Sequence, residues 1–259
     1  MDKTTKIRYL NSLNKLEEYK KVLRSKSKLS IYLNDTLIGL LLSDGYLERS
    51  SSTSGVRLTV GFGAKHKGYL EHLYNLFEPY TNTKPTLISV YNKKTNSNNE
   101  VWRFKTVSLP QLIYYHQLFY KPNAEGKLIK IIPSNIEELI SPVVLAHLIM
   151  GDGNLKKPDN IIRIYTNSFT QEEVNLLAKS ITNKLNIETK VVHDRNNQYI
   201  ITISKNQLDL VQKLIKYHMH PSMNYKLNLE TDRTFDYNNI PELNIFDKNC
   251  VDYNKHFEV

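Results

Sequence analysis

Cysteine is almost missing from this 259-residue chain, with Cys250 as its one example. A lone cysteine can form neither an intrachain disulfide nor a thiolate zinc cluster, which fits a reducing compartment. Long apolar runs are missing as well. Leu37 to Leu42 and Val143 to Met150 fall far short of the ~18 residues a spanning helix needs, so no membrane partner is expected. The opening Met1-Asp2-Lys3-Thr4-Thr5-Lys6 is polar, with no signal-peptide apolar region and no arginine-rich presequence character. There is no GxxxxGK[ST] segment, hence no P-loop, and Gly61-Phe62-Gly63 lacks the third glycine of a dinucleotide turn.

Positive charge, by contrast, is plentiful. The formal net charge is +9 and the pI about 9.3, a balance that favours a polyanionic partner such as nucleic acid. Forty per cent of residues are hydrophobic, enough for a buried core. The charge is unevenly spread. Residues 1–30 carry +6, residues 31–140 +3, residues 141–229 +4 and residues 230–259 −4. These blocks are the expected units: a basic N-terminal helical arm, two middle repeats and an acidic tail. In the arm, Leu10, Leu13, Leu16 and Tyr19 recur at helical spacing, which suits a solvated helix as well as a phosphate-contacting one. Asn, Lys, Ile and Tyr, all with A/T-rich codons, supply 93 residues, which points to an A/T-rich genome such as an organelle's.

An internal repeat organises the middle of the chain. Leu37-Ile38-Gly39-Leu40-Leu41-Leu42-Ser43-Asp44-Gly45 and Leu145-Ala146-His147-Leu148-Ile149-Met150-Gly151-Asp152-Gly153 are both apolar helical stretches closed by Asp-Gly. After the first, Val56 to Val60 alternates as a half-buried strand, Lys67 to Tyr80 reads as helix, and Thr86–Tyr91 and Val101–Lys105 as strands. Pro110 to Phe119 reads as a closing helix. After the second come a strand over Ile161 to Asn167 and a helix from Ser168 or Thr170 to about Leu185. A hairpin from Thr189–His193 to Gln198–Ser204 and a helix over Gln207 to His218 complete the unit. The expected fold class is α+β, with two pseudo-symmetric αββαββα halves, each carrying a curved antiparallel sheet. Each half ends on a lysine segment. Lys130 follows Asp44 by 86 positions, and Lys226 follows Asp152 by 74.

On these residues the chain resembles the single-chain, two-motif LAGLIDADG homing endonucleases. Leu37-Ile38-Gly39-Leu40-Leu41 with Asp44-Gly45 matches the first motif. The second departs from it at His147, where the family has glycine, and Leu42 and Met150 stand at the family's first aspartate. Lys130-Ile131-Ile132-Pro133, Ser168-Phe169-Thr170 and Met223-Asn224-Tyr225-Lys226-Leu227 look like the mitochondrial omega-intron branch. The likeness covers roughly residues 30 to 229.

The resemblance implies two motif helices side by side, with Gly39 and Ala146 allowing close approach and Gly45 and Gly153 supplying the turns that follow. Asp44 and Asp152 then end their helices together, where helix C-termini attract cations. They would be catalytic residues and metal ligands, with the backbone carbonyls of Ser43 and Gly151 completing the set. Mg²⁺ is the expected ion, with Mn²⁺ or Ca²⁺ able to substitute for binding. Lys130 and Lys226 would stand beside the phosphates. His147 is read as a space-filling or hydrogen-bonding residue of the helix interface, with no ligand role.

The implied activity is hydrolysis of double-stranded DNA at a long, specific site by a monomer encoded in a mitochondrial intron. Strand alternation nominates Arg57, Arg103, Lys105, Arg163, Tyr165, Asn167 and Gln198 for base contacts. Lys93, Lys94, Arg195 and Asn196 fall at loop tips, and Lys65 and Lys67 are candidate phosphate contacts. Two other roles for the same fold stay open: an intron RNA-splicing maturase that binds its own intron RNA, and a catalytically silent DNA-binding protein. A separate nuclease signature, Pro158-Asp159 with Glu188-Thr189-Lys190, would leave Asp44 and the repeat unexplained. His218-Met219-His220 lacks a nearby third ligand for a metal site.

Overall fold

The computed structural model describes residues 3–26, 28–51, 53–93, 96–195 and 198–229, with side chains from Leu13 onward. Lys94, Asn196 and the acidic tail from residue 230 lie outside these.

A long first helix, α1 (Lys3–Ser25), docks by its C-terminal end. Leu23 is buried there, Lys20 Nζ donates to Glu78 Oε1 at 2.6 Å, and Arg24 donates to the carbonyls of Pro79 and Thr81. The first repeat runs α2 (Ile31–Leu41), β1 (Tyr46–Arg49), β2 (Val56–Gly63), α3 (Lys67–Phe77), β3 (Thr86–Asn92), β4 (Ser97–Lys105) and α4 (Ile113–Phe119). A small hairpin, β5 (Tyr120–Pro122) and β6 (Leu128–Lys130), and a single-turn helix α5 (Ile136–Leu139) connect it to the second. That repeat runs α6 (Pro142–Asp152), β7 (Gly153–Lys156), β8 (Ile161–Tyr165), α7 (Gln171–Leu185), β9 (Thr189–His193), β10 (Tyr199–Ile203) and α8 (Leu208–Ile215). A six-residue 3-10 segment, Pro221–Lys226, follows.

The αββαββα order therefore holds in both halves. The sheets have matching strand orders, β1-β2-β4-β3 and β7-β8-β10-β9, antiparallel throughout. In each, alternation sends one set of side chains into the core: Leu47, Leu58, Val60 and Phe104 in the first, Ile162, Ile164, Ile201 and Ile203 in the second. Helices cover those faces, and among the described residues no helix covers the opposite faces.

Local chemistry sets the helix boundaries. Ser30 and Ser141 cap α2 and α6, accepting from the amides of Leu33 and Val144. Thr170, rather than Ser168, starts α7: it accepts from Glu173 N while the Glu173 carboxylate accepts from Thr170 N, a reciprocal capping box. The same carboxylate accepts from Ile132 N at 3.3 Å, tying the connecting segment to the second half.

The centre is α2 against α6. From Leu37 to Leu42 and from Val144 to Met150 every side chain is buried, His147 included. Burial all round is what a helix shows when it has a helix on one side and a sheet on the other. At the far end of this seam Ser141 Oγ donates to Asp35 Oδ2 at 2.7 Å. Asn34 Nδ2 donates to Asp35 Oδ1, and Tyr115 OH to Asn34 Oδ1. These bonds tie the start of one motif helix to the start of the other.

Candidate active site and DNA-facing surface

Close approach along the seam depends on two glycines. A Cβ at Gly39 would lie 2.6 Å from His147 Cβ and 2.8 Å from Val144 O. One turn on, a Cβ at Gly151 would lie 2.5 Å from Ser43 Oγ and 3.2 Å from Asp44 Oδ2. Close approach thus falls on Gly39, as expected, and on Gly151 from the other helix; Ala146 is fully buried.

The glycines after the aspartates sit where the chain turns back, as expected. Neither has a positive φ; Gly153 is extended, with φ −81° and ψ 152°. They are needed for space. The chain doubles back so tightly that a Cβ at Gly45 would meet Leu40 Cβ at 2.9 Å, and one at Gly153 would meet Ile149 O at 2.5 Å. The two aspartates also sit unequally. Asp152 is the last residue of α6, whereas α2 stops at Leu41 and Asp44 lies in the turn beyond it, where Gly45 N donates to Leu40 O at 2.7 Å.

Each turn carries a lysine. Lys130 Nζ donates to Ser43 O at 2.9 Å and Gly45 O at 2.7 Å. Lys226 Nζ donates to Met150 O at 2.6 Å and Gly151 O at 2.8 Å. The two lysines thus serve matching turns in the two halves, Lys226 on the last carbonyls of α6 and Lys130 on carbonyls just beyond the end of α2. They arrive there on unlike elements, Lys130 on strand β6 and Lys226 on the 3-10 segment.

The four charges are mutually coupled. Burial raises the Asp44 carboxyl above its usual range, against the pull of Lys226 and Lys130. Burial, then the nearby Asp44 charge, pushes Asp152 up to about 7 against both lysines. Burial lowers Lys130 and Lys226 each to about 8, although both aspartates favour their charged forms. Burial thus works against the charged form of both carboxylates, and the Asp44 charge adds to it at Asp152.

His147 stands one turn away inside the seam. Its Nε2 is 3.2 Å from Thr36 Oγ1 and its Nδ1 2.8 Å from Tyr69 OH. Burial, with His72 and His218 adding like charge, holds it well below the usual histidine range, so it is a neutral hydrogen-bonding bridge. Among the described residues no three His, Cys, Asp or Glu side chains gather as a metal cluster, and His218 and His220 make none.

The uncovered sheet faces hold most of the expected contact residues. In the first sheet Arg57, Arg103 and Lys105 alternate with the core residues. They line a groove of about 400 Å³ with Lys84, Asn82 and Thr83, a loop that sequence reasoning passed over. A larger groove of about 1080 Å³ runs beside Lys65 and the β3–β4 hairpin. Lys93 is exposed at the hairpin tip. Lys67 goes the other way: its Nζ lies 4.7 Å over the ring of Trp102, on the helix side of the sheet, and 3.4 Å from Glu71 Oε1.

In the second sheet Arg163 and Tyr165 share the outer face, register placing Thr202 beside Arg163 and Lys190 beside Thr202. Lys190 is exposed there and was not among the expected contacts. Asn167 lies past the strand end in an exposed turn, and Arg195 and Gln198 flank the β9–β10 turn. Asp159 belongs to the β7–β8 turn and pairs with Lys156, while Glu188 precedes β9 at the opposite edge of the sheet. The second nuclease signature therefore forms no site.

Comparison with known proteins agrees with this fold. The model of the LAGLIDADG DNA endonuclease family matches residues 35–211. DNA endonuclease I-ChuI of Chlamydomonas applanata is 29% identical over 75% of this chain and 93% of its own length. Probable intron-encoded endonuclease 1 of Wickerhamomyces canadensis is 30% identical over 82% of this chain and 89% of its own. Cytochrome b mRNA maturase bI2 of Saccharomyces cerevisiae is 27% identical over 88% of this chain, which spans about half (54%) of that protein. Among solved structures, the homing endonuclease I-WcaI bound to its DNA recognition sequence superposes with a TM-score of 0.71 and 25% identity, covering 81% of this chain and 91% of that one. By family model, by relatives and by fold, this chain belongs to the LAGLIDADG DNA endonuclease family.

Proposed function

We propose that the protein is a site-specific, divalent-metal-dependent endonuclease that hydrolyses one phosphodiester bond in each strand of duplex DNA. The observation that carries this reading is the doubled arrangement of one carboxylate and one lysine at the end of each motif helix, all four groups coupled across the seam. Two similar sets of groups suit two similar scissile phosphates on antiparallel strands.

The residues fit a hard cation. Asp44 and Asp152 supply carboxylate oxygens whose burial favours a partner cation. The carbonyls of Ser43 and Gly151 each accept one lysine bond and keep a second lone pair. Few protein ligands, with room left for water and phosphate, suit Mg²⁺. A divalent metal held there would supply the usual metal chemistry, activating an attacking water and offsetting charge on the leaving oxygen. The chain's own groups do the rest. Asp44 and Asp152 would hold the cation at the reacting phosphates. Lys130 and Lys226, held on main-chain carbonyls, offset the negative charge that builds on each phosphate during attack. Water adds to phosphorus, a P–O bond breaks, and the departing oxygen takes up a proton.

The two outer sheet faces would lie in the major groove, where base edges are distinguishable. Arg57, Arg103, Lys105, Arg163, Tyr165 and Gln198 would read bases. Lys65, Lys84, Lys93, Lys190, Arg195 and Asn167 would position the duplex. Two complete repeats in one chain support action as a monomer, and the intron-encoded relative supports an origin in an organelle intron. The test is a plasmid carrying the uninterrupted insertion sequence, incubated with and without Mg²⁺. Linear plasmid appearing only with metal supports the reading, and plasmid left uncut at every metal concentration refutes it.

A further inference from the structure

The outer face of the first sheet is not uniformly basic. Register places Glu48 beside Arg57, and Thr59 beside both Tyr46 and Lys105. Glu48 therefore sits within the basic face, and Lys105 Nζ donates to both of its carboxylate oxygens, at 2.9 and 3.0 Å. Both side chains are about one-third exposed, at 35% and 32%, so the pair is open to solvent, and Lys105 lines the groove. Partial burial works against the Glu48 carboxylate, but the bonds and charge of Lys105, the Tyr46 hydroxyl and Arg57 outweigh it and keep the carboxylate ionised.

A fixed anion on a surface that meets polyanionic DNA works against phosphate. It also occupies two of the three N–H groups of Lys105, so a phosphate would gain one bond there while facing the Glu48 charge. A base-pair edge can satisfy both groups at once, and the customary pairings of Lys with guanine and of Glu with cytosine favour G·C. In the major groove a G·C pair presents the cytosine N4 donor beside the guanine O6 and N7 acceptors. A carboxylate next to an ammonium is the complement of that edge. The second sheet has no counterpart, since the position four beyond Asp152 is Lys156 where the first repeat has Glu48.

We propose that Glu48 and Lys105 form one reading unit for a single G·C pair in the DNA half-site bound by the first sheet, Glu48 accepting from cytosine N4 and Lys105 donating to guanine. Glu48 also weakens binding to unmatched duplex. This inference rests on the DNA-binding reading above.

The test is selection from a randomised duplex pool of about three helical turns, with the bound fraction sequenced for the full chain, E48Q and K105M. The wild-type chain is expected to enrich G·C at one position. E48Q should lose that preference roughly tenfold or more at that position alone and bind the unselected pool more tightly. In the double variant, E48Q should add nothing to K105M. Unchanged preferences in E48Q overturn the inference and leave the endonuclease reading intact, and so does uniform flattening at every position, which marks a structural role. A wild-type chain that enriches no sequence refutes both.

Discussion

Gly39 and His147 lie face to face across the motif-helix seam, so closely that a Cβ on the glycine would stand 2.6 Å from the histidine's own Cβ. His147 takes the position that is Gly39 in the first motif. The seam tolerates it because the glycine opposite leaves the room, and because Thr36 and Tyr69 satisfy both ring nitrogens. The next layer repeats the pattern in reverse, Ser43 against Gly151.

Gly39→Ala should therefore destabilise the protein by about 1–3 kcal/mol, because the neighbouring atoms are a Cβ and a main-chain carbonyl that cannot swing aside. Urea denaturation reads this as a lower midpoint. A midpoint equal to wild type would show that the seam is looser than described.

The neutral state of His147 predicts a pH dependence. Its folded-state pKa is held down by burial, so the unfolded chain binds a proton that the folded chain refuses. Its contribution is intact above about pH 6.5 and is lost as pH falls below it, by up to about 1.4 kcal/mol per pH unit. His147→Gln, which keeps hydrogen-bonding capacity without titrating, should flatten this part of the stability–pH curve. The groups facing His147 are Thr36, Tyr69, His72 and His218. A variant with the wild-type slope would assign the effect to the neighbouring histidines.

Lys226 is buried and Lys130 only partly so, although each holds two carbonyls. Lys226→Met should cost about 1–3 kcal/mol, since it strands two carbonyls and leaves two carboxylates with less opposing charge. Lys130→Met should cost less. Either change should slow cleavage roughly a hundredfold or more. Thermal melts and single-turnover assays separate the two effects. Equal melting of wild type and Lys226→Met would contradict the capping role.

Much of this site is legible in the sequence because the repeat is a spacing signal. Asp44 and Asp152, and the lysines that follow them, keep their order and approximate separation, and spacing survives where motif letters such as His147 change. Other parts are hidden for physical reasons. Strands β1 and β7 are four residues each, too short for alternation to register. The β5–β6 hairpin that carries Lys130 is announced only by Asn123, whose side chain accepts from the amides of Glu125 and Lys127, and by Gly126 at φ +75°. Lys67 alternates with nothing, since it opens a helix, and only the fold reveals that it rests on Trp102. Glu48 escapes because a search for DNA contacts looks for cations, and its role depends on a partner 57 positions away.

The paired carboxylates are the centre of this account, and gel analysis of a supercoiled plasmid bearing the uninterrupted insertion site tests them most directly. Wild type, Asp44→Asn and Asp152→Asn are compared in Mg²⁺ and in chelator, with binding measured in parallel. The expected result is linear plasmid from wild type in Mg²⁺ alone, with each variant still bound to the site but unable to cut both strands. Linear plasmid from either variant at the wild-type rate, or from wild type in chelator, would contradict it.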